Sequence, residues 1–210
     1  MAANMQLIAK RSFPNATLVT DRFHVQKLAV EALQELRIKH RWEAIDRENE
    51  AIEKSKNQKK RYEPAILSNG DTVKQLLGRS RYSLYKRQEK WSASQRERAE
   101  LVFALYPDIE KAYSLSQKLT GIFSKNKDKV IAFNKLAKWH EEVRLAGFKS
   151  FNTISRTIET HYQTILNYFD NRSTNASAES FNAKIKSFRS KFRGVRCVEF
   201  FLFRLTNLYA

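Results

Sequence analysis

A single cysteine, Cys197, stands among 210 residues. No disulfide can form within the chain, and such usage suits a reducing compartment. Cys197 opens the apolar run "CVEFFLFRLTNLYA", so its thiol is expected in the core as a small hydrophobe. Five glycines and three prolines are too few for the tight turns of an all-β protein, which leaves long helices as the expected framework. No run of about 18 apolar residues exists, which excludes a membrane-spanning helix. The opening "MAANMQLIAKRSF" does not read as a signal peptide, and a cytoplasmic location is expected. No Cys/His spacing suggests zinc. Acidic residues are also scarce: 22 Asp and Glu face 39 Lys and Arg, for a net charge of +17.

What remains is a globular composition, 42% hydrophobic and 29% charged, long enough for one sizeable domain or two small ones. The cationic excess points to a polyanionic partner, because clustered Lys and Arg gain affinity by releasing counterions from phosphates. A merely solvated basic surface is the plainer alternative.

Along the chain, "ANMQLIAKRSF" fits a short amphipathic helix ending at Phe13-Pro14. "ATLVT" is apolar and β-branched and reads as the one strand. From Asp21, an N-cap candidate, Val25, Leu28, Ala29, Ala32, Leu33 and Leu36 recur at helical spacing. Residues 53–71 lose periodicity, gain charge and read as a basic loop. Thr72 to Phe169 is helical throughout. There Ser94 with Glu97 suggests a capping box, and Ile109, Ala112, Tyr113, Leu115, Leu119 and Ile122 form one broad face. Asn126 is a cap candidate for the next helix, which would turn Val130, Phe133, Leu136, Ala137 and Val143 inward before Gly147. Two further helical stretches follow, and the last apolar segment is expected to be helical.

Two places could carry chemistry. Asp21 and His24 form a D-x-x-H pair where the expected strand meets the long helix; an Asp there is equally an N-cap. His40, His140 and His161 have no acid at ligand spacing and read as structural or surface residues. The second place is "NRSTNASAESFNAKIKSFRSKFRG", residues 171–194. Ser173, Thr174 and Asn175 are cap candidates, Glu179 is the only acid, and Lys184, Lys186, Arg189, Lys191 and Arg193 follow. A carboxylate near a helix N-terminus serves capping as well as metal binding. Asn182 and Lys186, three and seven residues on, share its face. One acid among many cations is the residue pattern a nuclease-like site needs beside a phosphate backbone.

"FPNATLVTDRFHVQKLAVEALQELR" and the later "NRSTNASAESFNAKIKSFR" together resemble the later part of a bacterial insertion-sequence transposase. The class is the DDE type with an RNase H-like core, and the nearest group is the ISL-three group. The resemblance implies a mainly α fold: a truncated RNase H-like α/β core, one strand plus flanking helices, with a large all-helical insertion. Residues 1–24 would be the core remnant, 25–170 the insertion with its basic loop near 53–71, and 171–210 the C-terminal core helices.

Three acids on two Mg²⁺ ions perform the family's phosphodiester cleavage and strand transfer. Glu179 matches the third acid, a metal ligand, and Asp21 and His24 match the D-x-x-H after the fifth strand. The cations from Lys184 to Arg193 would hold DNA, both insertion-sequence ends and target. The first two acids would precede Met1, so the chain reads as a truncated or split transposase, inactive alone. Self-association, or association with full-length transposase near the nucleoid, is implied. The rival readings are a non-catalytic DNA-binding protein that inhibits transposition and a helical scaffold protein.

Overall fold

The computed structural model describes residues 3–172, 176–192, 194 and 196–209. Among them every regular element is helical. The chain divides into two compact units, Met1–Asn171 and Arg172–Ala210.

In the first unit, α1 (Ala3–Ser12) ends before Pro14, as the restricted residue preceding a proline requires. α2 (Arg22–Asn57) is the spine, and it runs past the point where periodicity fades. Glu53, Lys54 and Lys56, good helix formers, help extend it five residues into the expected loop. Val25, Ala29, Ala32 and Leu33 bury one stripe of α2, while Leu28 lies exposed. Short helices α3 (Val73–Arg79) and α4 (Arg81–Tyr85) follow, then α5 (Ala93–Leu105) and α6 (Pro107–Lys125). α7 (Lys129–Ala146), α8 (Lys149–Thr160), α9 (Tyr162–Leu166) and α10 (Tyr168–Asn171) complete the unit. α2 packs along α6, α3 and α8; α6 also packs on α5 and α7, and α7 on α8, α9 and α10. One apolar core results, with Leu33, Leu76, Leu84, Ile109, Leu119 and Phe151 wholly buried. Phe123 stacks on Phe169 at 5.5 Å and meets Tyr168 edge-on at 5.9 Å.

All six residues expected on the inner face of α6 are buried. α7 behaves differently. Leu136 and Val143 are inward, but Val130 is 66% exposed, and Phe133 and Ala137 also face out. Its buried stripe is Ala132, Leu136, Trp139 and Val143, spaced i, i+4, i+7 and i+11, with the Trp139 indole donating to the Leu115 carbonyl at 2.8 Å. Two apolar stripes run along this helix, and the larger aromatic with a reachable acceptor is the one that goes inside.

"ATLVT" is not a strand. Residues 16–21 have no regular structure, and their polar groups bond to helices instead. Thr20 N donates to the Thr164 carbonyl at 2.8 Å, the two threonine hydroxyls meet at 2.7 Å, and Asn167 Nδ2 donates to the Leu18 carbonyl at 3.0 Å. β-branched residues favour strands only where a ladder is offered, and here Thr164 of α9 and Asn167, the residue that caps it, supply the partners.

Two caps also differ. The capping box is Ser92 with Gln95, because α5 begins two residues earlier and Ser94 already lies in its first turn. Asp128, not Asn126, caps α7 through a 2.8 Å bond from Ile131 N; Asn126 Nδ2 instead donates to the Ile122 carbonyl. Gly147 ends α7 at φ 73°, a left-handed position where a Cβ is strained.

The segment expected to be a loop, residues 58–71 once α2 ends, finishes at a buried anchor. The Asp71 carboxylate is 1% exposed. It pairs with Arg79 of α3 and, at 2.9 Å, with Nε of Arg98 of α5, and accepts from Asn69 Nδ2 at 3.0 Å. Burial raises its pKa, but the hydrogen bonds and charges of Arg98 and Arg79 outweigh this and hold the carboxyl below the usual Asp value.

The second unit contains α11 (Ala176–Lys191) and α12 (Val198–Tyr209). Phe188 is their shared core, 4.5 Å from the Phe192 ring and 5.4 Å from Phe201. Leu205 is buried as well.

Candidate nucleic-acid interface

The second unit carries eight Lys and Arg residues against two Glu. α11 sorts them by its period. Ile185, Phe188 and Phe192 line one side, half-buried or buried. The remaining surface holds three rows of residues seven apart: Glu179 with Lys186, Asn182 with Arg189, and Lys184 with Lys191. Two helical turns separate each pair, about 10.5 Å of rise. All six side chains are exposed. Glu179 sits in the first turn, where the positive helix end favours an ionised carboxylate, and the cations Arg189 and Lys191 occupy the last turn, where they complement the negative end. Charge order along α11 is therefore consistent with helix stability alone, and it also spreads a positive, solvent-facing surface over two turns. Arg193, and the cap candidates Ser173, Thr174 and Asn175, lie outside the described residues.

Asp21 is the N-cap of α2. Its Oδ1 accepts from Phe23 N at 2.8 Å, and His24 N bonds the Asp21 carbonyl at 3.1 Å. The D-x-x-H spacing thus coincides with one capped helical turn that leaves the His24 imidazole exposed. Replacement of Asp21 by Ala should cost about 1 kcal/mol in thermal or urea unfolding, whereas Asn, an equally good cap, should cost little. Loss of strand transfer by Asp21→Asn in a transposition-competent protein carrying the complete acid set, at unchanged stability, would assign the carboxylate a chemical role beyond capping.

His40 does have acid partners. Its Nε2 lies 2.6 Å from Asp108 Oδ2 and its Nδ1 lies 3.1 Å from Glu43 Oε2, while the ring sits 4.5 Å from Tyr106. The two carboxylates bind opposite ring nitrogens, so the arrangement ties α2 to the start of α6 and cannot converge on one ion. Asp108 is 68 residues away in sequence, out of reach of any spacing rule.

Mg²⁺ needs several oxygen ligands, usually including one or two carboxylates. Among the described residues no group of three or more His, Cys, Asp or Glu could hold a metal ion. Glu179 offers one carboxylate, and the only other acid of its unit is Glu199, on α12. The described residues do not by themselves fit a two-metal centre.

Phe192, Arg196 and Phe201 are not among the residues expected from the sequence to carry function. With Lys186, Arg189 and Leu202 they line a cavity of about 880 Å³ at the turn between α11 and α12. Alternation of basic and aromatic residues through 181–204 was the available signal. Cys197 also lines it; exposed rather than core, its Sγ accepts from Phe200 N at 3.4 Å, so it caps α12 where an inward position was expected.

No described helix is long and apolar enough to cross a membrane. No curated protein and no solved structure matches the chain. A family model described as a transposase, that of the ISL-three group, matches residues 1–205. With nearly the whole sequence inside that match, the chain belongs to the ISL-three family of transposases.

Proposed function

We propose that this chain is the later portion of a DDE-type transposase and that its second unit holds DNA by the phosphate backbone beside Glu179. The reaction class is phosphodiester cleavage and strand transfer at insertion-sequence ends, carried out where the carboxylates of an RNase H-like core complete the set that Glu179 belongs to. The observation carrying this reading is the exposed face of α11, one first-turn carboxylate followed by Lys184, Lys186, Arg189 and Lys191, within a family that acts on DNA. Asp21 and His24 are assigned a supporting role at the start of α2. The chain's own residues position phosphates; backbone contacts of this kind orient DNA and carry little sequence information.

Glu179→Gln separates binding from chemistry. It removes a negative charge near the phosphates, so duplex affinity in a fluorescence-anisotropy titration should stay level or tighten slightly. In a transposition-competent protein carrying the complete acid set, the same change should abolish strand transfer. Retained strand transfer in that protein would remove Glu179 from the acid set.

A further inference from the structure

The cavity between α11 and α12 is distinct in chemistry from the exposed face of α11. Three cations enter its lining, Lys186 and Arg189 from the last turns of α11 and Arg196 from the connecting turn, and no acid is among the described lining residues. Its apolar wall contains two half-buried aromatic rings, Phe192 and Phe201. Both lean on Phe188, and the Arg204 guanidinium lies 5.7 Å from the Phe192 centroid. A volume of about 880 Å³ falls within the usual range for a small-ligand pocket, about 300–1,000 Å³.

A duplex backbone presents phosphates but hides its bases inside the stack. Cations alone would suffice for it, and aromatic rings in the same pocket would gain nothing. An unpaired nucleotide presents both an anionic phosphate and a free π-face. Proteins that bind single strands combine these same two elements, a positive groove and aromatic platforms.

We propose that the α11–α12 cavity takes an unstacked nucleotide of a DNA strand, its phosphate held by Lys186, Arg189 and Arg196 and its base laid on Phe192 or Phe201. This rests on the DNA-binding reading above and narrows it: the unit would prefer DNA with unpaired positions, as arise at a nicked or melted end, over a closed duplex. Because any base has a π-face, the pocket would be tolerant of base identity.

The test uses the full chain and three probes of equal length and label: oligothymidine, an abasic oligomer with the same phosphates but no bases, and a closed duplex. All should bind at low salt. The abasic oligomer should bind about 5- to 150-fold more weakly than oligothymidine, the range expected when a base–aromatic stack is lost. Phe192→Leu and Phe201→Leu keep apolar volume while removing the flat ring; at least one should shrink the base-dependent difference and lower the ratio of single-strand to duplex affinity. Arg196→Gln should flatten the single-strand salt slope by about 0.7.

Equal affinity for oligothymidine and the abasic oligomer would overturn the proposal while leaving duplex binding, and the transposase reading, standing. A base-dependent difference untouched by both leucine variants would place stacking elsewhere and also overturn it. If neither leucine variant folds by circular dichroism, the abasic comparison on the unaltered chain decides. Failure of every probe to bind at low salt would overturn both readings together.

Discussion

Asp71→Ala should destabilise the first unit by about 2–4 kcal/mol, the largest single-residue effect on stability expected here. Removing one partner of a buried ion pair typically costs about 3–5 kcal/mol, because the other charge is left behind. The lower range applies because Arg79 is 55% and Arg98 26% exposed and can regain some water. Lost with the carboxylate are the clamp between α3 and α5 and the acceptor for Asn69, so the loop before α3 loosens too. A shift of this size corresponds to a melting temperature lower by about 5–15 °C in a domain of this length.

The effect depends on pH in a fixed direction. The native pKa of Asp71 is held below its unfolded value, about 3.9. A lowered native pKa means the unfolded state binds the proton first on acidification. The stabilisation is therefore fully present above the unfolded pKa and is lost as pH falls through the native one. The stability difference between the natural chain and Asp71→Asn should be flat from pH 7 to about 5 and shrink below about 4. A difference that grows on acidification would contradict the ion-pair account.

The second large effect concerns DNA. Exchange of both Lys186 and Arg189 for Gln should flatten the plot of log affinity against log salt for duplex DNA by roughly two units, at about 0.9 per phosphate contact. At about 50 mM salt this amounts to a loss of affinity of about two orders of magnitude. Both residues are exposed on α11, so folding should be little changed. An unchanged slope would show that other cations, such as those of α2, hold the duplex.

How far these features could be read from the chain depends on the distance over which each is decided. α1, the face of α6 and the end of α7 at Gly147 were legible because helical period, a proline stop and a left-handed cap are local. The capping box missed by two residues because Ser92 and Ser94 are each followed three positions later by Gln95 or Glu97, and local pattern offers both. The inward side of α7 is not legible locally because the helix has two apolar stripes, and only the Leu115 carbonyl offered to Trp139 breaks the tie. The "ATLVT" expectation failed because strand propensity is a statement about neighbours. Thr20 meets Thr164, 144 residues away, on a helix.

The candidate site shows the same division. Glu179, Lys184, Lys186, Arg189 and Lys191 could be named from sequence because they share one helix, whose period alone sorts them away from Phe188. Phe192, Arg196 and Phe201 could not, since their meeting requires α12 to fold back on α11. By itself, then, the sequence determined the helices, the cationic excess and the single carboxylate at the head of α11, all set by nearest neighbours along the chain. Only the tertiary structure decided which stripe of α7 is buried, that Asp71 is an anchor, that His40 sits between two acids, and that cations and rings enclose a cavity. Each of those is a meeting of residues distant along the chain or on different elements, and side-chain packing, not local propensity, selects it.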